Sequence, residues 1–187
     1  KLHSEPGKKL LDIGSGWGTL IITAAQEYGL ETYGITLSEE QYAFTNQRIQ
    51  ELGLQDKVHV MLRDYRDVDM TFDYITSVGM FEHVGKENLG EYFKDVANYL
   101  VPNGRALIHG ITGQHYGAGV DPFIQKYIFP GGYIPNIAEN VTHIMEAGMQ
   151  LDDIEPLRRH YQKTLETWTE NYHAVYDKTV AERGEAF

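Results

Sequence analysis

The sequence contains no cysteine, which excludes disulfides and thiolate metal sites from it. No apolar run approaches the length of a membrane span. No secretory leader is visible at the beginning, and no repeat or low-complexity tract follows. Positive charge is scarce: 16 Lys and Arg stand against 27 Asp and Glu, for a net charge of −11. Such a surface repels phosphate backbones, which argues against a nucleic-acid partner and against strong docking of this stretch on an anionic membrane. What remains is a chain of 187 residues, long enough for one α/β domain with a real core.

Two hydrophobic patterns alternate along that chain. Short apolar runs at Lys9–Ile13, Glu31–Thr36, Val58–Leu62 and Phe72–Val78 read as strands, and a fifth covers 105–111 after a Pro102-Asn103-Gly104 turn. Helical patterns cover Thr19–Tyr28, 38–52, 86–100, 138–147 and 159 onward, the last with aromatics on one side. Ser38 and Gln41 have capping-box spacing. Glu39 and Glu40 lie in the first turn, where the helix dipole favours them, and Gly53 is a stop signal. Strands and helices at this spacing predict a doubly wound, mainly parallel α/β sheet. A sixth strand is expected at 151–157. Residues 113–135, rich in glycine, proline and aromatics, read as an irregular insertion of the kind that forms functional loops.

The stretch "LDIGSGWG" (residues 11–18) joins the first strand to the first helix. A dinucleotide site needs G-x-G-x-x-G, and the spacing of Gly14, Gly16 and Gly18 is one position too short. A phosphate-binding loop needs Gly-Lys-Ser/Thr, which is absent. The form D-x-G-x-G-x-G suits a ligand without pyrophosphate, whose small zwitterionic tail passes close over the backbone. S-adenosylmethionine has such a tail. Asp12 then faces its ammonium or the amides of the loop. Thr36, Leu37 and Gln41, after the second strand, are placed for the ribose hydroxyls. Asp64, after the third strand, can accept from the adenine amino group, and Tyr65 can stack on the base. All of these follow the carboxyl ends of strands, where such sheets bind ligands.

Further along, "GITLSEEQ", "DYRD", "SVGMFEHVG", "VDPFIQKYIFPGGYIP" and "LRRHYQKTLETW" occur in that order. With the glycine turn, they make the chain resemble the cyclopropane-fatty-acyl-phospholipid synthases and their mycolic acid cyclopropane synthase relatives, over about residues 9–175. "GMFEHVG" and "KYIFPGG" carry the specificity, since the glycine turn is common to all class I methyltransferases.

The resemblance implies methyl transfer from S-adenosylmethionine to a cis double bond of a lipid acyl chain. A carbocation forms, and bound bicarbonate removes a proton so that the ring closes. It implies a bicarbonate site made of Glu82, His109, the backbone of Ile111, and Tyr161. An anion in a lipid pocket needs such donors, and a base beside an electron-deficient carbon is general-base catalysis. The rings of Tyr127, Phe129 and Tyr133 can stabilise the cation. The implied partners are unsaturated phospholipid acyl chains at a membrane surface, met from the cytoplasmic side, with a homodimer as one possible assembly. The resemblance also implies truncation at both ends. The family carries a cysteine-containing segment before the first strand, and a helix and strand after the last residue here. Two other readings stay open from sequence: a class I methyltransferase acting on a small molecule, and a cofactor-binding domain without catalysis.

Overall fold

A computed structural model describes residues 1–113, 115 and 120–184. The chain divides into two compact units, Lys1–Gln150 and Leu151–Phe187.

The first unit is built on five parallel strands: β1 (Lys9–Ile13), β2 (Glu31–Thr36), β3 (Val58–Leu62), β4 (Phe72–Val78) and β5 (Leu100–His109). Their order in the sheet is β3-β2-β1-β4-β5, so β1 is central with β2 and β4 on either side of it. They read as nearly continuous apolar runs because both faces are covered, as parallel sheets require. One face carries Leu11, Ile13, Phe72 and Ile75 against α3 (Leu89–Tyr99). The other carries Leu10 and Tyr74 toward α1 (Thr19–Tyr28), and Val58 and Val60 toward α1 and α2 (Glu39–Glu51). The strand order reverses its direction of growth at β1 and β4, the topological switch point of such sheets.

Local chemistry sets the helix bounds. Gly18 begins α1 in a left-handed conformation (φ 78°), and Gly29 ends it in the same region with its N–H on Ala24 O. On α3, the buried residues Leu89, Tyr92, Phe93, Val96 and Tyr99 form one face. Burying each such side chain is worth about 1.5–3 kcal/mol. α4 (Ile137–Glu146) starts with a full capping box between Asn136 and Glu139.

Three expectations change. The capping box at α2 is half formed: Ser38 accepts from Gln41 N–H, but the Gln41 side chain goes to Thr36 instead. β5 begins before the Pro102-Asn103-Gly104 turn. Phe72 pairs with Leu100 and Tyr74 with Arg105, so two steps along β4 answer five along β5. The turn is a bulge inside the strand, with Asn103 at φ 65°. Residues 151–157 form no strand. They are exposed and irregular, and they lead into α5 (Arg158–Arg183), the helix of the second unit. Part of 113–135 lies outside the described residues. Within the rest, Gly113 bridges to Asn136 and Ile124–Ile128 forms a π-helical turn.

Among the described residues, no helix is long and apolar enough to cross a membrane, and no cluster of metal-ligating side chains occurs. A trough of about 740 Å³ lies along α1, lined by Leu10, Leu20, Ala24, Leu30 and Leu107 among others. Its lining contains none of the predicted cofactor residues.

Candidate active site

The glycine turn is preformed. Gly14 and Ser15 both donate their N–H to Ile35 O, at 3.0 and 2.9 Å, and Gly18 N–H returns to Ser15 O. The three glycines serve different needs. Gly14 (φ 80°) sits against Met80, which a Cβ would meet at 3.0 Å. A Cβ on Gly18 would run into Thr45 of α2, so this glycine lets two helices pack. Gly16 (φ 55°) has nothing within 4 Å of where a Cβ would point. It faces open space at the carboxyl end of β1, the cradle that the S-adenosylmethionine reading requires. We predict that Gly16→Ala weakens cofactor binding about tenfold or more. Left-handed strain of a residue with a Cβ lowers the stability of free and bound protein alike; the loss of affinity comes from the methyl group entering the cradle. Calorimetric titration checks this; unchanged affinity in a folded variant removes Gly16 from the site.

Asp12 lies between Gly34 and Thr76 in the sheet register and is 3% exposed. Thr76 Oγ1 donates to its Oδ1 at 2.7 Å. Burial pushes the Asp12 carboxyl up to about 6, and the Thr76 hydrogen bond only partly opposes it.

After β2, Thr36 is buried. Its hydroxyl donates to Gln41 Oε1 at 2.7 Å and accepts from Ser38 N–H. Thr36 therefore braces Gln41 rather than presenting its own hydroxyl, which leaves the Gln41 amide nitrogen as the group suited to a ribose. Leu37, next to it, is 73% exposed, an apolar side chain facing out at the ligand end of the sheet.

After β3, the Asp64 carboxylate is clamped by Arg66 through Nε at 2.9 Å and Nη2 at 2.8 Å, and it also caps the Tyr65–Asp67 turn. The Arg66 guanidinium holds the Asp64 carboxyl below the usual carboxylate range, against a smaller opposing effect of burial. Asp64 is therefore an ionised acceptor, already engaged. Tyr65 is half-buried: its ring lies edge-to-face with Tyr92, centroids 5.5 Å apart, and Arg66 lies over it at 5.9 Å. We expect Asp64→Ala to weaken S-adenosylmethionine binding about tenfold, the low end for a charged hydrogen bond because the site is partly solvated. Arg66→Ala, which frees the carboxylate, leaves affinity unchanged or tighter. A cofactor analogue without the exocyclic amine binds wild type weakly and loses nothing further in Asp64→Ala. Equal losses with both ligands would show that Asp64 does not read the base.

After β4, the chain turns through Phe81–His83, and Glu82 is 1% exposed. Its Oε1 accepts from Ile111 N–H at 2.7 Å. Its carbonyl accepts from Tyr133 N–H at 3.0 Å. Gly79 N–H meets His109 O at 2.8 Å, which ties the ends of β4 and β5 together. Two glycines that the motif reading did not single out make this junction possible. A Cβ on Gly110 would enter the Phe81 ring, and one on Gly132 would press on the Glu82 carbonyl at 2.7 Å. Gly110 follows His109, and Gly132 closes the "KYIFPGG" stretch.

The structure thus joins Glu82 and Ile111 directly: the Ile111 N–H assigned to the anion is held by the carboxyl. His109 ends β5 in register with Val78 and is exposed. Tyr161 belongs to the second unit, half-exposed on α5, edge-to-face with Trp168 at 6.1 Å between ring centroids. Of the three expected cation-facing rings, Tyr133 is held by Glu139 through its hydroxyl and by Lys86 over its ring. Phe129 meets His83 at 5.1 Å, and Tyr127 is exposed with Lys126 over its face.

A parallel sheet with this order and a glycine turn that leads from β1 into a helix without a pyrophosphate pattern has the class I S-adenosylmethionine-dependent methyltransferase fold. Known proteins narrow it further. The sequence profile described as mycolic acid cyclopropane synthetase matches residues 1–187. A probable fatty acid methyltransferase of Pseudomonas putida is 43% identical over 97% of this chain and 48% of its own length. The cyclopropane-fatty-acyl-phospholipid synthase of Escherichia coli K12 is 37% identical over 100% of this chain and 48% of its own. The solved mycolic acid cyclopropane synthase CmaA1, complexed with SAH and CTAB, superposes with a TM-score of 0.86 at 30% identity, covering 99% of this chain and 70% of that one. The chain belongs to the mycolic acid cyclopropane synthetase family. It spans about half the length of the curated relatives it matches.

Proposed function

We propose that the protein containing this chain transfers a one-carbon unit from S-adenosylmethionine to the cis double bond of an unsaturated phospholipid acyl chain, closing a cyclopropane ring. The observation that carries the reading is the convergence on Glu82. The "FEHVG" turn, the end of β5 and the "PGGY" stretch all meet at that one buried residue. The complex of CmaA1 with SAH and CTAB supports a shared cofactor and an amphiphilic acceptor.

S-adenosylmethionine supplies the methyl carbon, and bicarbonate the base that takes the proton lost on ring closure. The chain's own residues do the rest. Gly16 gives the cofactor tail close access to backbone, Asp12 offers buried negative charge beside it, and Gln41, Asp64 and Tyr65 hold the ribose and base. Glu82, with His109, orients bicarbonate on the acceptor side, where an anion removed from water needs several fixed partners. The protein works from the cytoplasm against the inner face of the membrane.

The test uses the full-length enzyme, methyl-labelled S-adenosylmethionine and vesicles of cis-unsaturated phospholipid. Label is expected in the lipid, as cyclopropane acyl chains by mass spectrometry after hydrolysis. Label in a methyl branch would replace the ring-closing step, and label only in small-molecule acceptors would overturn the lipid assignment.

A further inference from the structure

Along the stretch that leads to "PGGY", the large apolar side chains Phe123, Tyr127 and Ile128 face outward rather than into a core. Burial therefore does little to fix this stretch, and the polar ties at its end matter more. Those ties meet at Tyr133.

Tyr133 is bonded through both its backbone and its side chain. Its N–H donates to the Glu82 carbonyl at 3.0 Å, where the absence of a Cβ on Gly132 lets the two backbones approach. Its hydroxyl is shared between the two oxygens of Glu139, at 2.8 and 2.9 Å. Lys86, from the turn that follows Glu82, lies over its ring at 5.6 Å. Glu139 is itself fixed. Its Oε2 also accepts from Asn136 N–H at 2.8 Å, and its own N–H donates to Asn136 Oδ1 at 3.0 Å. One residue thus spans from the turn at Glu82 to the first turn of α4.

The ring and the hydroxyl of Tyr133 have separable tasks. Phenylalanine would fill the same place, leave Lys86 over the ring and keep the backbone N–H on Glu82. It would lose only the tie to Glu139. That tie is of the stronger kind, because the acceptor is an ion: the Asn136 N–H holds the Glu139 carboxyl below the usual carboxylate range. The start of α4 does not need it, since Asn136 and Glu139 already complete a capping box between them. What the hydroxyl adds is a fixed distance between that helix and the turn at Glu82.

We propose that Tyr133 is a positioning residue for the reaction. Its hydroxyl, caught by Glu139, latches the "PGGY" stretch over Glu82 and so sets where the lipid chain lies against that carboxyl. The role rests on the reading of Glu82 and of the lipid acceptor given above.

Kinetics of the full-length enzyme on vesicles of cis-unsaturated phospholipid test it, with cofactor affinity measured separately by calorimetry. Tyr133→Phe should lower kcat/KM for the lipid about tenfold, the effect of losing one hydrogen bond to a charged group at a partly exposed site, with cofactor Kd within about twofold. The ring is kept, so the loss belongs to the hydroxyl. Glu139→Ala should match that loss. Glu139→Gln, which restores an accepting oxygen and the capping partner, should recover most of it. In the Glu139→Ala background, Tyr133→Phe should cost nothing more, because its route of action is gone. The two Glu139 variants serve as the probe if Tyr133→Phe does not fold. Wild-type kcat/KM in a Tyr133→Phe protein of lower melting temperature would assign the hydroxyl to stability alone and overturn the latch. A full further loss in the Glu139→Ala background would overturn it too. No lipid product from the wild-type enzyme would instead overturn the lipid reading, and the latch with it.

Discussion

Glu82→Gln in the full-length enzyme should reduce turnover about 100-fold or more, the range for removing a group that handles the proton in the chemical step, while cofactor affinity stays near wild type. The separation follows from position. Glu82 sits past β4, bonded to Ile111 N–H and roofed by Tyr133 N–H, whereas the adenosine-side residues follow β1, β2 and β3. Glutamine preserves size and can still accept from Ile111 N–H through its carbonyl. What it loses is the negative charge and the second accepting oxygen. A loss in kcat and kcat/KM together, with cofactor Kd constant, marks an interaction made in the transition state. Added bicarbonate, in carbonate-depleted buffer, should restore part of the activity if the variant only weakens the anion's hold. Little restoration would assign Glu82 to the proton transfer itself. The structural account predicts something else: a modest drop in melting temperature with turnover retained, since Glu82 also fastens the β5 end to the turn after β4. Near wild-type turnover with bicarbonate controlled would end the catalytic assignment.

The parts of this site that sequence reveals are the local ones. The bounds of β1, β2, β3 and β4 follow from apolar runs closed by glycine or polar turns, and the structure has the same bounds. The start of β5 does not follow: Pro102-Asn103-Gly104 reads as a turn ahead of the strand, and the structure carries the strand through it. Pairing of Leu100 with Phe72 draws the strand through the turn as a bulge, and pairing is a tertiary event. Residues 151–157 carry a strand-like pattern, but a strand needs a neighbour to accept its ladder. At the site, Glu82 and Ile111 were each singled out through family resemblance. Their direct bond joins residues 29 positions apart, a closure that no spacing rule encodes. Thr36 and Gln41 were read as two ligand-facing groups, yet one braces the other.

Asp12→Asn should stabilise the full-length protein above pH 6 and not at pH 4. The argument is one of linkage. The carboxyl rises from an ordinary 3.8 to about 6 on folding, with burial as the larger cause. Between those values the folded protein holds a proton that the unfolded chain has lost, so stability falls as pH rises through the interval. Below 3.8 both states are protonated and the group contributes nothing. Above 6 the full penalty of a buried charge is present, about 3 kcal/mol at 1.36 kcal/mol per pH unit. Asparagine carries no charge at any pH and keeps an oxygen for the Thr76 hydroxyl, which now donates at 2.7 Å. The expected result is a melting temperature several degrees higher than wild type at pH 7.5, with the gap closing by pH 4. Such a cost is retained where the charge has a use. Near the end of β1, at the start of the glycine turn, the use on the proposed reading is attraction of the cofactor's ammonium group. Wild-type affinity for S-adenosylmethionine should therefore weaken as pH falls through about 6. The Asp12→Asn variant should bind more weakly at pH 7.5, with a flat profile across the same range. A stability gain equal at pH 4 and pH 7.5 would assign the effect to packing rather than charge. A cofactor affinity that titrates identically in both proteins would remove Asp12 from the binding site.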